Sequence, residues 1–190
     1  MQLGLRLDPL GRNLEKSQRE GTEALSAMQV SYQQLAGRLL GDAYAQPFSG
    51  FMAPPDMHFD DWYQHSSLST QHAGLAKLLV KTGVGEGGYM LELGSFIGNS
   101  ASTFARAMQQ KKLNATVVCM DTWLGDAFMW KAKDKWLGQQ GASGQPRLYE
   151  QFMINIVGHG VSELVLPVRT SATVGLRYLR SFIQTGELPP

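Results

Sequence analysis

Tyr89-Met-Leu-Glu-Leu-Gly-Ser-Phe-Ile-Gly-Asn-Ser100 is the stretch on which the fold of this chain turns. Residues 89–93 are a short apolar run bounded by Gly88 and Gly94, the pattern of a strand covered on both faces. Gly94 then lets the chain turn tightly where a side chain would block a ligand. Gly98 lets the following helix approach, and the free amides at the start of that helix point outward. A strand, a glycine turn and a helix in this order predict a nucleotide-type site at one edge of a sheet.

Outward from this stretch the pattern alternates. Ser100 to Lys112 reads as a helix with Ala101, Phe104, Ala105 and Met108 on one face, and Lys111 and Lys112 complement its C-terminal dipole. Ala115 to Met120 is a second buried strand, closing on Asp121. Arg147 to Val157 forms a helix with Leu148, Phe152 and Ile156 in line, stopped by Gly158 and Gly160. Leu164 to Val168 is a third strand, after which Thr170 or Ser171 caps a helix that carries Leu176, Leu179, Phe182 and Ile183 and ends at Gly186. Strands alternating with helices predict an α/β fold, a Rossmann-like parallel sheet with helices on both faces joined by right-handed crossovers.

Upstream, Leu14, Leu25, Met28, Tyr32, Leu35 and Leu39 fall at helical spacings, so Asn13 to Leu40 is expected to be one amphipathic helix, stopped by Gly41. Asp42 to Ser67, with Pro47, Gly50, Pro54 and Pro55, is an irregular segment packed through its aromatic rings. Ser69 or Thr70 caps a further helix through Leu75, Leu78 and Leu79 to Gly83. The chain therefore divides into an N-terminal helix and irregular cap over 1–68 and an α/β unit over 69–190. His58, His65 and His72, with Asp60 and Asp61 between, match no metal-ligand spacing, and no metal is expected.

Lys and Arg number 17 against 16 Asp and Glu, a formal charge of +1 that gives no electrostatic reason to expect nucleic acid or an anionic membrane. No run of about 18 apolar residues predicts a membrane span, and residues 1–10 lack the form of a secretory signal. The expectation is a soluble, cytoplasmic protein. Cys119 is the only cysteine, sits in an apolar run and reads as an inert buried thiol.

Asp121 follows Gly98 by 23 residues and ends the neighbouring strand, where a carboxylate can accept from both hydroxyls of a ribose. The glycine spacing then discriminates between nucleotides. Glu92-x-Gly94-x-x-x-Gly98 lacks the middle glycine of the dinucleotide pattern, and no Gly-Lys-Ser/Thr follows to cradle a triphosphate. Glu92-x-Gly94-x-x-x-Gly98 with Asp121 resembles the first two motifs of class I S-adenosylmethionine-dependent methyltransferases. Leu91 to Ser100 together with Asp121-Thr-Trp-Leu-Gly-Asp126 is similar to small-molecule O-methyltransferase-like domains, and the resemblance covers roughly Gly87 to Pro190.

What the resemblance implies is S-adenosyl-L-methionine as cofactor and a small molecule as methyl acceptor. By the same analogy Glu92 holds the methionine ammonium, and Gly94, Ser95, Phe96 and Gly98 shape the floor under the cofactor. Asn99 and Ser100 serve the methionine carboxylate. Asp121 takes the ribose, Thr122 and Trp123 stand just past it with the Trp123 ring against the adenine face, and Ser171 contacts the adenine edge. The chain departs from the family by supplying only its first three strand units, so the sheet is expected to be truncated after the third. A fourth strand with its acidic end is missing from this pattern, and no catalytic base can be named. A second copy or a partner chain is then expected to cover the open sheet edge. Three functions stay open: methyl transfer from S-adenosylmethionine, a non-catalytic binding or assembly module built from half such a fold, and an NAD-binding oxidoreductase.

Overall fold

The computed structural model describes residues 30–60, 74, 77, 87–132 and 144–189. Helix α1 spans Tyr32–Leu40 and is followed by a short 3-10 turn, Asp42–Tyr44. Strand β1 spans Tyr89–Leu93, α2 Asn99–Gln110, β2 Thr116–Asp121, α3 Ala127–Ala132, α4 Leu148–Gly158, β3 Val165–Arg169 and α5 Ala172–Gln184. The three strands form one parallel sheet in the order β1-β2-β3. Glu92 lies opposite Cys119, and Asp121 opposite Arg169, so the C-terminal ends of neighbouring strands are brought to the same edge.

The central strand β2 shows why both faces must be covered. Its residues from Thr116 to Met120 are all buried, and successive side chains alternate between the faces. Val117 and Cys119 join a core with Ala101, Ala105 and Met108 of α2, Phe152 and Ile156 of α4, and Val165. Val118 and Met120 turn the other way and pack with Leu35, Ala36 and Leu39 of α1, Leu166 and Val168 of β3, and Leu179 of α5. Burying each Leu, Ile, Phe or Met of these layers contributes about 1.5–3 kcal/mol before entropy is counted. The α/β class with helices on both faces, read from the alternation of elements, is the observed architecture.

One boundary differs from the sequence expectation. Helix α1 starts at Tyr32, because Ser31 is extended and closes a capping box with Gln34: the Ser31 hydroxyl accepts from the Gln34 amide, and Gln34 Oε1 accepts from the Ser31 amide at 2.9 Å. A single helix from Asn13 to Leu40 is therefore corrected to one beginning after Ser31, and residues 13–29 lie outside the described residues. Most of the expected helix over 69–83 lies outside them as well, as do His65 and His72. Helix α3 is an addition, started by Asp126, whose Oδ1 accepts from the Met129 amide at 2.7 Å. Among the described residues no helix is long and apolar enough to cross a membrane.

Pro167 is placed inside a strand at no cost to the ladder. Val117 donates to the Leu164 carbonyl and Thr170 to the Asp121 carbonyl, so the even residues of β3 face β2 and the odd ones face its outer edge. The missing N–H of Pro167 therefore falls on that edge, as an edge strand allows. The Tyr32 hydroxyl donates to the Val165 carbonyl at 3.1 Å on the same side.

Candidate functional site: the turn after the first strand

The turn between β1 and α2 is held by bonds that pull its carbonyls inward. Gly98 N–H donates to the Ser95 carbonyl at 2.8 Å, Trp123 Nε1 to the Phe96 carbonyl at 2.7 Å, and Asn155 Nδ2 to the Ile97 carbonyl at 2.9 Å. The Phe96 amide donates instead to Asp121 Oδ2 at 2.9 Å, and the Trp123 amide to Asp121 Oδ1 at 2.7 Å. With its acceptors tied down, the turn can expose donors. Phe96 and Trp123 both sit at positive φ, 48° and 52°, a strain kept only because these bonds over-determine it.

The two glycines do different work. Gly98, at φ 87°, is the N-cap of α2, and a methyl there would stand 3.0 Å from Phe152 and 3.1 Å from Ile156. Its bare Cα is what lets α4 press against the turn. Gly94, at φ 80°, would have nothing within 4 Å of an added Cβ, so it faces open space on the exposed rim. There the absence of a side chain leaves room for something the protein does not itself supply.

Helix α2 begins without a side-chain cap. Its first internal bond runs from the Ser102 amide to the Gly98 carbonyl, so the amides of Asn99, Ser100 and Ala101 have no partner inside the helix. The Ser100 hydroxyl, which could have served the amides as an acceptor, donates to Glu92 Oε1. Such an N-terminus carries partial positive charge and favours an anion. The buried Asn99 side-chain oxygen has no hydrogen-bond partner in the described residues.

Glu92 is the charged group beneath this rim. Burial pushes its carboxyl above the ordinary range, the Ser100 and Ser95 hydroxyls and the Cys119 thiol pull it back, and the charge of Asp121 pushes it further up. Cys119 Sγ lies 3.5 Å from Glu92 Oε2, and burial first and Glu92 second hold the thiol well above its usual value, so it is a neutral donor and an inert one. The Ser95 hydroxyl is buried and completes no full hydrogen bond, though it stands near enough to Glu92 and Cys119 to favour their ionised forms. A cation arriving over Glu92 would find a carboxylate that gains from the pairing.

The structure therefore gathers Glu92, Gly94, Ser95, Phe96, Gly98, Asn99, Ser100 and Asp121 on one rim. Three of the other expected residues take different positions. Trp123 is only 1% exposed and packed against both Tyr149 and Phe152 at ring distances of 5.0 and 4.9 Å, so its ring braces the turn and has no free face for an adenine. The Thr122 hydroxyl accepts from the Leu124 amide at 3.3 Å. Ser171 shares the sheet edge but spends its hydroxyl on the Val174 amide at 3.3 Å, capping α5.

Sequence reasoning missed Asn155 and Gln151. Both are buried polar residues on α4, and Asn155 links the Ile97 carbonyl on one side to the Asp60 amide at 3.0 Å on the other. Gln151 Nε2 reaches Asn155 Oδ1 and the His58 carbonyl, both at 2.9 Å. Two polar side chains at four-residue spacing inside an otherwise apolar helix were the available signal. No family model, curated protein or solved structure matches the chain.

Proposed function

We propose that this rim binds the nucleoside and the amino-acid end of S-adenosyl-L-methionine, and that the protein is a methyltransferase acting on a small molecule, with oxygen the acceptor atom. The observation that carries it is the bond from the Phe96 amide to Asp121: the glycine turn and the carboxylate of the next strand meet on one edge. Asp121 uses two of its roughly four acceptor positions on amides, which leaves lone pairs for a ribose diol. The uncapped amides of Asn99, Ser100 and Ala101 suit a carboxylate, the buried Glu92 carboxyl, whose ionised form a nearby cation favours, suits an ammonium, and open space above Gly94 suits the body of the ligand.

When bound, S-adenosylmethionine supplies a methyl group already activated by its sulfonium. The tasks left to the chain are orientation, exclusion of water and removal of the acceptor's proton. The turn's inward-tied carbonyls and the brace of Trp123 under it meet the first task by fixing the amides before the ligand arrives. Wide spacing between Gly94 and Gly98 disfavours the pyrophosphate of NAD, which needs a glycine two positions after the first.

Calorimetric titration with S-adenosylhomocysteine and with NAD tests this. Binding of S-adenosylhomocysteine supports it, preference for NAD overturns it, and binding of neither favours a non-catalytic assembly module. Asp121→Asn, which keeps one acceptor oxygen for the turn, should weaken S-adenosylhomocysteine by about 1.5–3 kcal/mol. An unchanged affinity removes the ribose role.

A further inference from the structure

A cleft of about 930 Å³ opens at the outer edge of β3, away from Glu92 and Gly94, between the α1 and 3-10 segment on one side and α5 on the other. Its size falls in the range of about 300–1,000 Å³ typical of small-molecule sites. The floor is the C-terminal end of β3, where Pro167 and Arg169 turn their backbone toward the free edge. Because Pro167 offers no N–H there, another strand cannot extend the sheet cleanly at this point, and among the described residues no strand pairs with this edge.

The walls are aromatic. Tyr149, Tyr178 and Tyr44 line the cleft, and Tyr44 is 72% exposed. Arg169 is its cation. The guanidinium carbon lies over the Tyr149 ring, 4.5 Å from its centroid, a cation–π contact that holds the charge beside the cleft, and among the described residues it makes no ion pair. A planar guanidinium held over one ring and beside the exposed rings of Tyr44 and Tyr178 is suited to a carboxylate carried on an aromatic ring. Asp42 also lines the cleft, and its charge opposes a multiply charged anion.

We infer that this cleft is a binding site for a monoanionic aromatic small molecule, an aryl carboxylate, held by Arg169 and sandwiched by tyrosines. The site uses neither Glu92, Gly94 nor the amides of α2, and it borders the cofactor proposal only through Thr170, whose amide donates to the Asp121 carbonyl. It adds a second ligand to the molecule.

The experiment is a calorimetric titration of the full chain with 4-hydroxybenzoate, its neutral amide 4-hydroxybenzamide, and inorganic phosphate. Measurable binding of 4-hydroxybenzoate at about 1 mM is expected, with the amide weaker by about tenfold. Arg169→Gln should abolish that preference for the anion. Val174→Asp, on an exposed part of the wall, should weaken the benzoate while leaving the urea unfolding midpoint in place. Saturation with S-adenosylhomocysteine should leave the benzoate affinity unchanged. No binding of 4-hydroxybenzoate overturns the inference, as do equal affinities for acid and amide, tighter binding of phosphate, or full benzoate affinity in both variants.

Discussion

The turns after β1 and β3 sit at the same edge of one parallel sheet, and each feeds a helix, yet they are finished in opposite ways. After β3, Ser171 is extended and its hydroxyl accepts from the Val174 amide, so α5 begins with a donor already satisfied. After β1, a left-handed glycine begins α2 with no side-chain cap, and the Ser100 hydroxyl is diverted downward to Glu92. A capped turn is complete in itself. The uncapped one is held by Asp121, Trp123 and Asn155 from outside its own helix, an arrangement that fixes the amides of Asn99, Ser100 and Ala101 without using them. More hydrogen-bonding capacity is left over at the start of α2 than at the start of α5.

The largest effect should come from the two glycines of the uncapped turn. Gly98→Ala adds a methyl at positive φ against Phe152 and Ile156, and should destabilise by about 2–4 kcal/mol through backbone strain and overpacking together. Gly94→Ala meets only the strain and should cost about 1–2 kcal/mol, yet should block S-adenosylhomocysteine. Urea unfolding and calorimetry on both variants separate packing from ligand access. Equal stability losses would erase the distinction between the two positions.

A smaller effect depends on pH. Burial raises the Glu92 carboxyl above its reference value of 4.5. A group raised in the folded state contributes its stability below the unfolded value and loses it as pH climbs through the folded one. Wild type should therefore lose stability relative to Glu92→Gln as pH rises from 4.5 toward neutrality. Unfolding midpoints of the pair across that window measure the difference, and a flat difference would place Glu92 in a more polar setting than the structure gives it.

The smallest effect belongs to the finished turn. Ser171→Ala removes one cap and should cost about 1 kcal/mol with no change in S-adenosylhomocysteine affinity. A loss of affinity comparable to that of Gly94→Ala would return Ser171 to the cofactor site.

Much of the fold was legible because a doubly covered parallel sheet writes itself as short apolar runs ended by glycine or aspartate. Tyr89–Leu93, ended by Gly94, and Thr116–Asp121 announce themselves this way, Val165–Arg169 shows the apolar run alone, and α2 and α5 carry one apolar stripe each. The start of α1 was not read, since helical spacing continues across Ser31 and only the Ser31 and Gln34 box marks the break. Helix α3 spans too few residues to show a period. Glu92, Gly94 and Asp121 could be read because strand ends and turn glycines are tied to backbone geometry. Trp123 and Asn155 could not, because whether a ring or an amide faces a ligand or the core is decided by α4, which arrives from elsewhere in the chain.

The most direct test of the difference between the turns is the amide spectrum of the nitrogen-15-labelled protein titrated with S-adenosylhomocysteine. The uncapped turn should respond, with the largest shifts at Gly94, Phe96, Asn99 and Ser100, while Ser171 to Gly175 stay in place. Shifts confined to the turn after β3, or a spectrum unmoved at saturating ligand, would contradict the account.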